Sequence, residues 1–198
     1  MRPPGTVARD PSYDSAGYAV VRELIGAQAA ELLESYAAVL RDSGRMEVDH
    51  QVPGSLRRYA APGFEALLDL CTSPLSTLAG RRLLPTYSFV RYYFRGQELS
   101  AHRDRPECEH SVTLHLASSE PGAWPIWIRQ GNDEPAEVLL HPGDAVLYRG
   151  NDVLHWRDPL EMDWYLQVFL HYVDAEGPFT DRHLDGRPHL AAPRRGTG

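Results

Sequence analysis

Two helical stretches followed by six short strand-like segments predict a mainly β protein with N-terminal helices. The architecture they suggest is a double-stranded β-helix, or jelly roll, buttressed by those helices. Three observations carry the prediction. From Leu84 onward the segments SFVRYYF, SVTLHLAS, WPIWIR, AEVLLH, DAVLYRG and WYLQVFLHYV are rich in Val, Leu, Tyr and Trp, and Gly, Pro, Asn and Asp separate them. Two of them alternate. Ser111, Thr113 and His115 interleave with Val112, Leu114 and Leu116, and Tyr165, Gln167 and His171 oppose Leu166, Val168 and Leu170. Such strands put an apolar face on helices or a second sheet and turn a polar face into the interior. Finally, the helical periodicity is confined to the N-terminal part of the chain.

Taken in order, residues 1–17 are rich in Pro, Gly and Ser and read as ill-ordered. Ala27 to Arg41 is a helix, with Ala29, Leu32, Leu33, Tyr36 and Leu40 at helical spacing and Gly44 soon after. Residues 45–61 lack a regular pattern and read as a loop, in which Asp49-His50-Gln51 offers part of a lid. Pro62 to about Ala79 is a second helix with Phe64, Leu67, Leu68 and Cys71 on one side, and Pro74 is expected to break or restart it. A helical part over 18–83 and a jelly-roll core over 84–176 make one catalytic domain, 18–176. Residues 177–198 read as a tail.

The 198 residues are enough for one domain with a sizeable core. No apolar run has the length of a membrane span, and MRPPGTVARDPSYDS lacks the apolar stretch of a signal peptide. Net charge is −7 and no basic cluster lies in the body of the chain, which argues against nucleic acid as a partner. The two cysteines, Cys71 and Cys108, have no metal-like spacing and read as free thiols, so a cytoplasmic setting is expected. The sequence leaves the oligomeric state open. All 20 basic residues are Arg, which bears on anion binding below.

His102 and Asp104 lie two apart in GQELSAHRDRPECEH, so on an extended backbone both side chains point one way. His155 follows the strand DAVLYRG and the turn Gly150-Asn151-Asp152. Two imidazoles and one carboxylate can occupy one face of an octahedral metal and leave the other open, the ligand logic of non-haem Fe(II) oxygenases. A bare H-x-D is common by chance, and the chain has a second, His183-Leu184-Asp185, in its tail. The competing reading is a surface His102–Asp104 pair with His155 packed beside Trp156.

From Tyr87 to Val173 the chain resembles the Fe(II)/2-oxoglutarate-dependent dioxygenases, nearest to their prolyl-hydroxylase-like branch. The matching features are Tyr93, Gly96-Gln97, His102-x-Asp104, a strand opened by Gly143-Asp144, and the distal His155. The resemblance implies Fe(II) held by His102, Asp104 and His155, with 2-oxoglutarate and O2 as cosubstrates. It also implies hydroxylation of an unactivated C–H with release of succinate and CO2. The related halogenases carry a small residue where this chain has Asp104, so the carboxylate speaks for oxygenation. The branch usually supplies Lys or Arg nine or ten residues past the distal histidine to hold the far carboxylate of 2-oxoglutarate. Here those positions are Trp164 and Tyr165.

Arg157 is the nearest replacement, two residues past His155 and on the same strand face, and its fork suits a carboxylate. Its structural alternative is a pair with Asp158 or Glu161; Arg91, Arg129 and Arg149 are other candidates. Tyr93 and Thr113 are expected beside the cosubstrate. His115, His171 and the four tryptophans read as interior packing. The substrate is expected to be a small molecule, an amino acid or a peptidyl side chain. Two other readings stay open: a cupin-like isomerase or metabolite-binding protein using Zn, Mn or Ni, and a non-catalytic interaction module.

Overall fold

A computed structural model describes residues 8–193. Its elements in chain order are helix α1 (Ser12–Ser15), β1 (Tyr18–Val21), α2 (Ala27–Asp42), β2 (Glu47–Val48), β3 (Leu56–Tyr59), α3 (Pro62–Ala79) and β4 (Leu83–Phe94). There follow β5 (Leu99–His102), β6 (His110–Ser118), β7 (Ile126–Gln130), β8 (Ala136–Val138), β9 (Ala145–Arg149), β10 (Val153–Arg157) and β11 (Trp164–Asp174). The strands form two antiparallel sheets. One has seven strands in the order β1-β9-β6-β11-β4-β3-β2, and the other has four in the order β5-β10-β7-β8. This is the expected jelly roll.

The alternation of the sequence explains why the sheets face each other as they do. On the outer face of the seven-stranded sheet, Val90, Val112, Leu114, Leu147, Leu166, Val168 and Leu170 form one buried apolar cluster with Leu40, Phe64, Leu68 and Leu75 of the helices. The inner face is polar and aromatic. Register places it in rows: Tyr87, His171, Ser111 and Tyr148 in one, and Phe89, Phe169 and Thr113 in the next. Arg57, Arg91, Gln167 and His115 make a third. A second apolar cluster, including Ile126, Ile128, Val138, Val146 and Val153, closes the gap between the sheets at one end.

Several elements differ from the sequence expectation. Part of the 1–17 stretch, residues 1–7, lies outside the described residues, but 8–17 are built into the fold. Tyr13 in α1 is fully buried and hydrogen-bonded to Nδ1 of His110. Residues 18–61 contribute three strands rather than only helix and loop. β1 pairs with β9, and β3 pairs with β4. These are short edge-side strands whose pairing comes from the partner strand, so their own residues show little pattern.

The helix α3 runs through Pro74 without a break. The proline removes a hydrogen bond toward Leu70, a residue on the exposed side of the helix, where water can supply the lost donor. The tail also packs back. Arg187 forms a buried ion pair with Glu65 at 2.8 Å and donates to the Thr86 carbonyl, while Ala191 N–H donates to Glu65. Residues 194–198 of that expected tail lie outside the described residues. Gly143 and Asp144, which open β9, serve the frame. Asp144 accepts the Glu23 N–H and an Arg22 guanidinium bond, and a Cβ on Gly143 would collide with the Ile25 carbonyl.

Burial of imidazoles makes the fold acid-sensitive. His110 and His115 are each held down to about 4 from 6.5, chiefly because burial disfavours their charged form. The unfolded chain therefore binds more protons between those values, and stability falls as pH drops through that window. The thermal midpoint of the metal-free protein is expected to be nearly level from pH 8 to 7 and to fall from pH 7 to 5. A midpoint unchanged between pH 7 and 5 contradicts this.

Candidate metal centre and its cavity

Antiparallel pairing of β10 with β5 sets His155 directly opposite His102. Their rings lie 4.3 Å apart. Asp104, just past the end of β5, is drawn to the same point by two ties on its backbone: its N–H donates to the Gly150 carbonyl, and the Asn151 side-chain amide donates to the Asp104 carbonyl. Nε2 of His102 and Nε2 of His155 each stand 3.6 Å from Oδ1 of Asp104. One donor atom from each of the three residues falls within 4.8 Å of the others.

The protonation states suit a cation. Nδ1 of His102 faces the Ser100 carbonyl at 2.8 Å, and Nδ1 of His155 faces the Val153 carbonyl at 3.3 Å. A carbonyl only accepts, so each Nδ1 carries the proton and each Nε2 offers a lone pair toward Asp104. Burial, the largest influence on Asp104, would raise its pKa. The surrounding imidazoles of His102, His155 and His171, with the Ser111 hydroxyl that donates to it, outweigh burial and hold the carboxyl at about 2. Burial holds His155 at about 4, neutral at physiological pH. Burial lowers the His102 pKa, but Asp104 and the Ser100 carbonyl outweigh it and raise it above its usual value, so a bound cation would replace a proton on that Nε2. Two imidazole lone pairs and an ionised carboxylate then make a donor set that fits a divalent transition metal. His155 does not pack beside Trp156; its ring lies against Tyr148 and His102.

The other oxygen of Asp104 is held from behind. Ser111 donates to Oδ2 at 2.6 Å, and Nδ1 of His171 lies 2.9 Å from the same hydroxyl. Ser111 has one proton, and the carboxylate is the strongest acceptor in its reach, so His171 donates to Ser111. Gly150 completes the support. A Cβ there would collide with the Cys108 carbonyl and the Asp104 carboxylate.

The three donors open on a cavity of about 620 Å³. Its walls include Tyr87, Phe89, Arg91, Tyr148, Phe169 and His171. The loop Asp49-His50-Gln51, expected as part of a lid, supplies Asp49 and Gln51 to the wall. Arg91 forms a buried ion pair with Asp49 and donates to Gln51 at 2.9 Å and to Tyr93 Oη at 2.8 Å.

Arg157 lies between the sheets and is almost fully buried. It donates to the Trp124 carbonyl and, at 2.8 Å, to Gln167 Oε1, and stacks 4.7 Å over the Trp124 ring. Among the described residues no carboxylate pairs with it, so the anticipated pair with Asp158 or Glu161 does not form. Asp158 instead accepts from Trp127. Tyr165 stacks on His115 4.1 Å away, and its ring faces the Arg157 guanidinium at 5.3 Å. Thr113 is 3.4 Å from Tyr148 Oη. Gln97 is structural, tying the Phe94 N–H to the Pro53 carbonyl. Cys108 is buried against Tyr87 Oη at 3.0 Å and its thiol is pushed up to about 12, so it is an inert thiol. The second H-x-D also has a structural use, with Asp185 accepting from Tyr59.

Sequence reading missed Ser111, Tyr87, Phe89, Tyr148 and Phe169. The signal was present: Tyr87, Phe89 and Arg91 precede Tyr93 at steps of two, and Ser111 precedes Thr113 by two. Naming one residue of an inward row names the row.

No family model matches the chain, and no curated protein matches it. Solved structures do. A Pseudomonas putida prolyl-4-hydroxylase superposes with a TM-score of 0.67 at 14% identity, covering 82% of this chain and 95% of that one. A Trichoplax adhaerens prolyl hydroxylase in complex with a hypoxia inducible factor peptide fragment gives 0.70 at 14%, covering 88% and 89%. The non-haem α-ketoglutarate-dependent epimerase SnoN from nogalamycin biosynthesis gives 0.70 at 15%, covering 93% of each chain. At these identities the likeness establishes a shared fold. No described helix is long and apolar enough to cross a membrane.

Ser111→Ala removes the bond to Asp104 Oδ2 without touching a donor atom. It is expected to weaken Fe(II) binding by roughly 10–100-fold, the usual scale for losing an outer partner of a metal ligand. Wild-type affinity in this variant, measured by anaerobic titration, contradicts the assigned support.

Proposed function

We propose that the protein is an Fe(II)- and 2-oxoglutarate-dependent oxygenase. In this reading it hydroxylates an unactivated C–H of a small molecule, amino acid or peptidyl side chain and releases succinate and CO2. The observation that carries it is the convergence of His102, Asp104 and His155 at the floor of an aromatic cavity, inside a fold shared with enzymes of that chemistry. The catalytic domain is residues 18–176, supported by the segments packed against it. The three residues would hold Fe(II), which when bound with 2-oxoglutarate supplies the oxidising power for O2 chemistry.

The chain's own residues do the remaining work. Ser111 and His171 orient Asp104, and the carbonyls of Ser100 and Val153 fix the imidazole tautomers. Arg157 is the proposed anchor for the far carboxylate of 2-oxoglutarate. A buried guanidinium without a carboxylate is costly, and an anionic ligand would offset that cost. Arg91 lines the cavity, which Arg157 does not, but is already neutralised by Asp49. Tyr93 Oη accepts bonds from Arg91 and, at 3.3 Å, from Gln167, which leaves its own proton to donate to an anion. Tyr148 lines the cavity, and Thr113 lies outside its lining, 3.4 Å from the Tyr148 hydroxyl. Phe89, Phe169 and Tyr87 exclude water above the donors.

Incubation with Fe(II), O2, 2-oxoglutarate and a panel of amines, amino acids and peptides is expected to give succinate coupled to a product one oxygen heavier. Succinate at background for the whole panel counts against the oxygenase. A product of unchanged mass formed without 2-oxoglutarate favours a cupin-like isomerase.

Arg157→Ala is expected to raise the 2-oxoglutarate requirement by about ten- to hundredfold, since a hydrogen bond to a charged group is worth about 1.5–3 kcal/mol. Arg157→Lys should recover part of it. An equal rise in the iron requirement points to a folding defect instead.

A further inference from the structure

The cavity mouth carries positive charge that the metal centre does not use. Four guanidiniums, Arg57, Arg91, Arg103 and Arg105, line the cavity, in a protein of net charge −7. Arg91 is paired with Asp49, and Arg103, tied through Nε to the Asp152 carbonyl at 3.0 Å, stacks on no described ring of the wall. The other two are held differently. Arg105 lies 5.2 Å over the Tyr87 ring and donates to Tyr87 Oη at 2.9 Å. Its acidic neighbour Glu107 stands 3.7 Å away, beyond hydrogen-bond length, and is shared with Arg182. Arg57 lies 5.8 Å over the Phe89 ring. Its neighbour Glu47 is 3.6 Å away, is mostly exposed and is shared with Arg58, while Arg57 Nε is buried without a hydrogen-bond partner. Each guanidinium is thus positioned by an aromatic ring of the cavity wall and retains donors for another group.

The acids cancel this charge only in part. Of the three that line the cavity, Asp49 is consumed by Arg91, Asp104 faces the two imidazoles, and Glu47 is mostly exposed and divided between Arg57 and Arg58. Below the two cations the wall turns apolar, with Phe89 and Phe169 packed 6.1 Å apart on the way to the donors.

We propose that the substrate carries a carboxylate, held at the cavity mouth by Arg57 and Arg105, and an apolar body laid along Phe89, Phe169 and Tyr87 toward the metal donors. This rests on the oxygenase reading of the same cavity. It names a substrate class, an acidic small molecule with an apolar, flat body, and makes Arg57 and Arg105 its specificity residues. The anion is distinct from 2-oxoglutarate, whose far carboxylate is assigned to the interior at Arg157.

The test is calorimetric titration of the full chain with 3-phenylpropanoate and its neutral counterpart 3-phenylpropanamide. It is run anaerobically with Fe(II) and saturating 2-oxoglutarate, and again without them. The carboxylate is expected to bind about tenfold or more tightly than the amide, because charge-assisted bonds exceed neutral ones by about that factor. Arg57→Gln and Arg105→Gln should each shrink the carboxylate-to-amide ratio about threefold or more, and Arg57→Lys and Arg105→Lys should keep most of it. A carboxylate that binds no better than the amide, including binding of neither, overturns the proposal. So does a ratio unchanged in both Gln variants, or displacement of the carboxylate by 2-oxoglutarate. A carboxylate preference in a protein that fails to bind 2-oxoglutarate would instead sink the oxygenase reading and leave the anion site standing.

Discussion

The pairing of β10 with β5 places His155 across from His102, and the organisation of the cavity floor follows from that register. A shift of one residue would turn His155 out of the sandwich, because side chains alternate between faces. Two features hold the register. β10 is clamped on its other side by β7, and Asp104 N–H is bonded to the Gly150 carbonyl in the turn that leads into β10. The third donor is therefore positioned by the backbone that sets the first two.

A polar interior is expensive, and the fold meets that cost locally. Glu65 accepts three hydrogen bonds in a buried setting, two from Ser88 and one from Ala191, and is ion-paired with Arg187. Asp104 is satisfied by Ser111 and faced by imidazoles. Arg157 is the exception: a nearly inaccessible cation whose partners are neutral carbonyl and amide oxygens. Burial accordingly pulls its pKa down. Arg157 lies outside the cavity lining, whereas Arg57, Arg91, Arg103 and Arg105 face the cavity itself.

The strands of the jelly roll were legible because alternation records which face meets the apolar core: SVTLHLAS separates into an apolar and a polar row, and WYLQVFLHYV does so apart from Phe169 on its inner row. His102, Asp104 and His155 were legible for the same reason, being chemically distinctive residues at inward positions. β1, β2 and β3 were not, since edge-side strands borrow their pairing from β9 and β4. The ordered 8–17 and 177–193 segments were hidden by Pro- and Gly-rich composition, which masks the anchors Tyr13 and Arg187. Arg57 and Arg105 carry no local signal; their role comes from rings that are neighbours only in space.

The central claim is that His102, Asp104 and His155 form one site for Fe(II) chelated by 2-oxoglutarate. Anaerobic absorption spectroscopy tests it most directly. Adding Fe(II) and 2-oxoglutarate together is expected to produce a weak visible charge-transfer band, absent with either alone and lost in Asp104→Ala. No band in the wild-type protein, or an undiminished band in Asp104→Ala, would contradict the account.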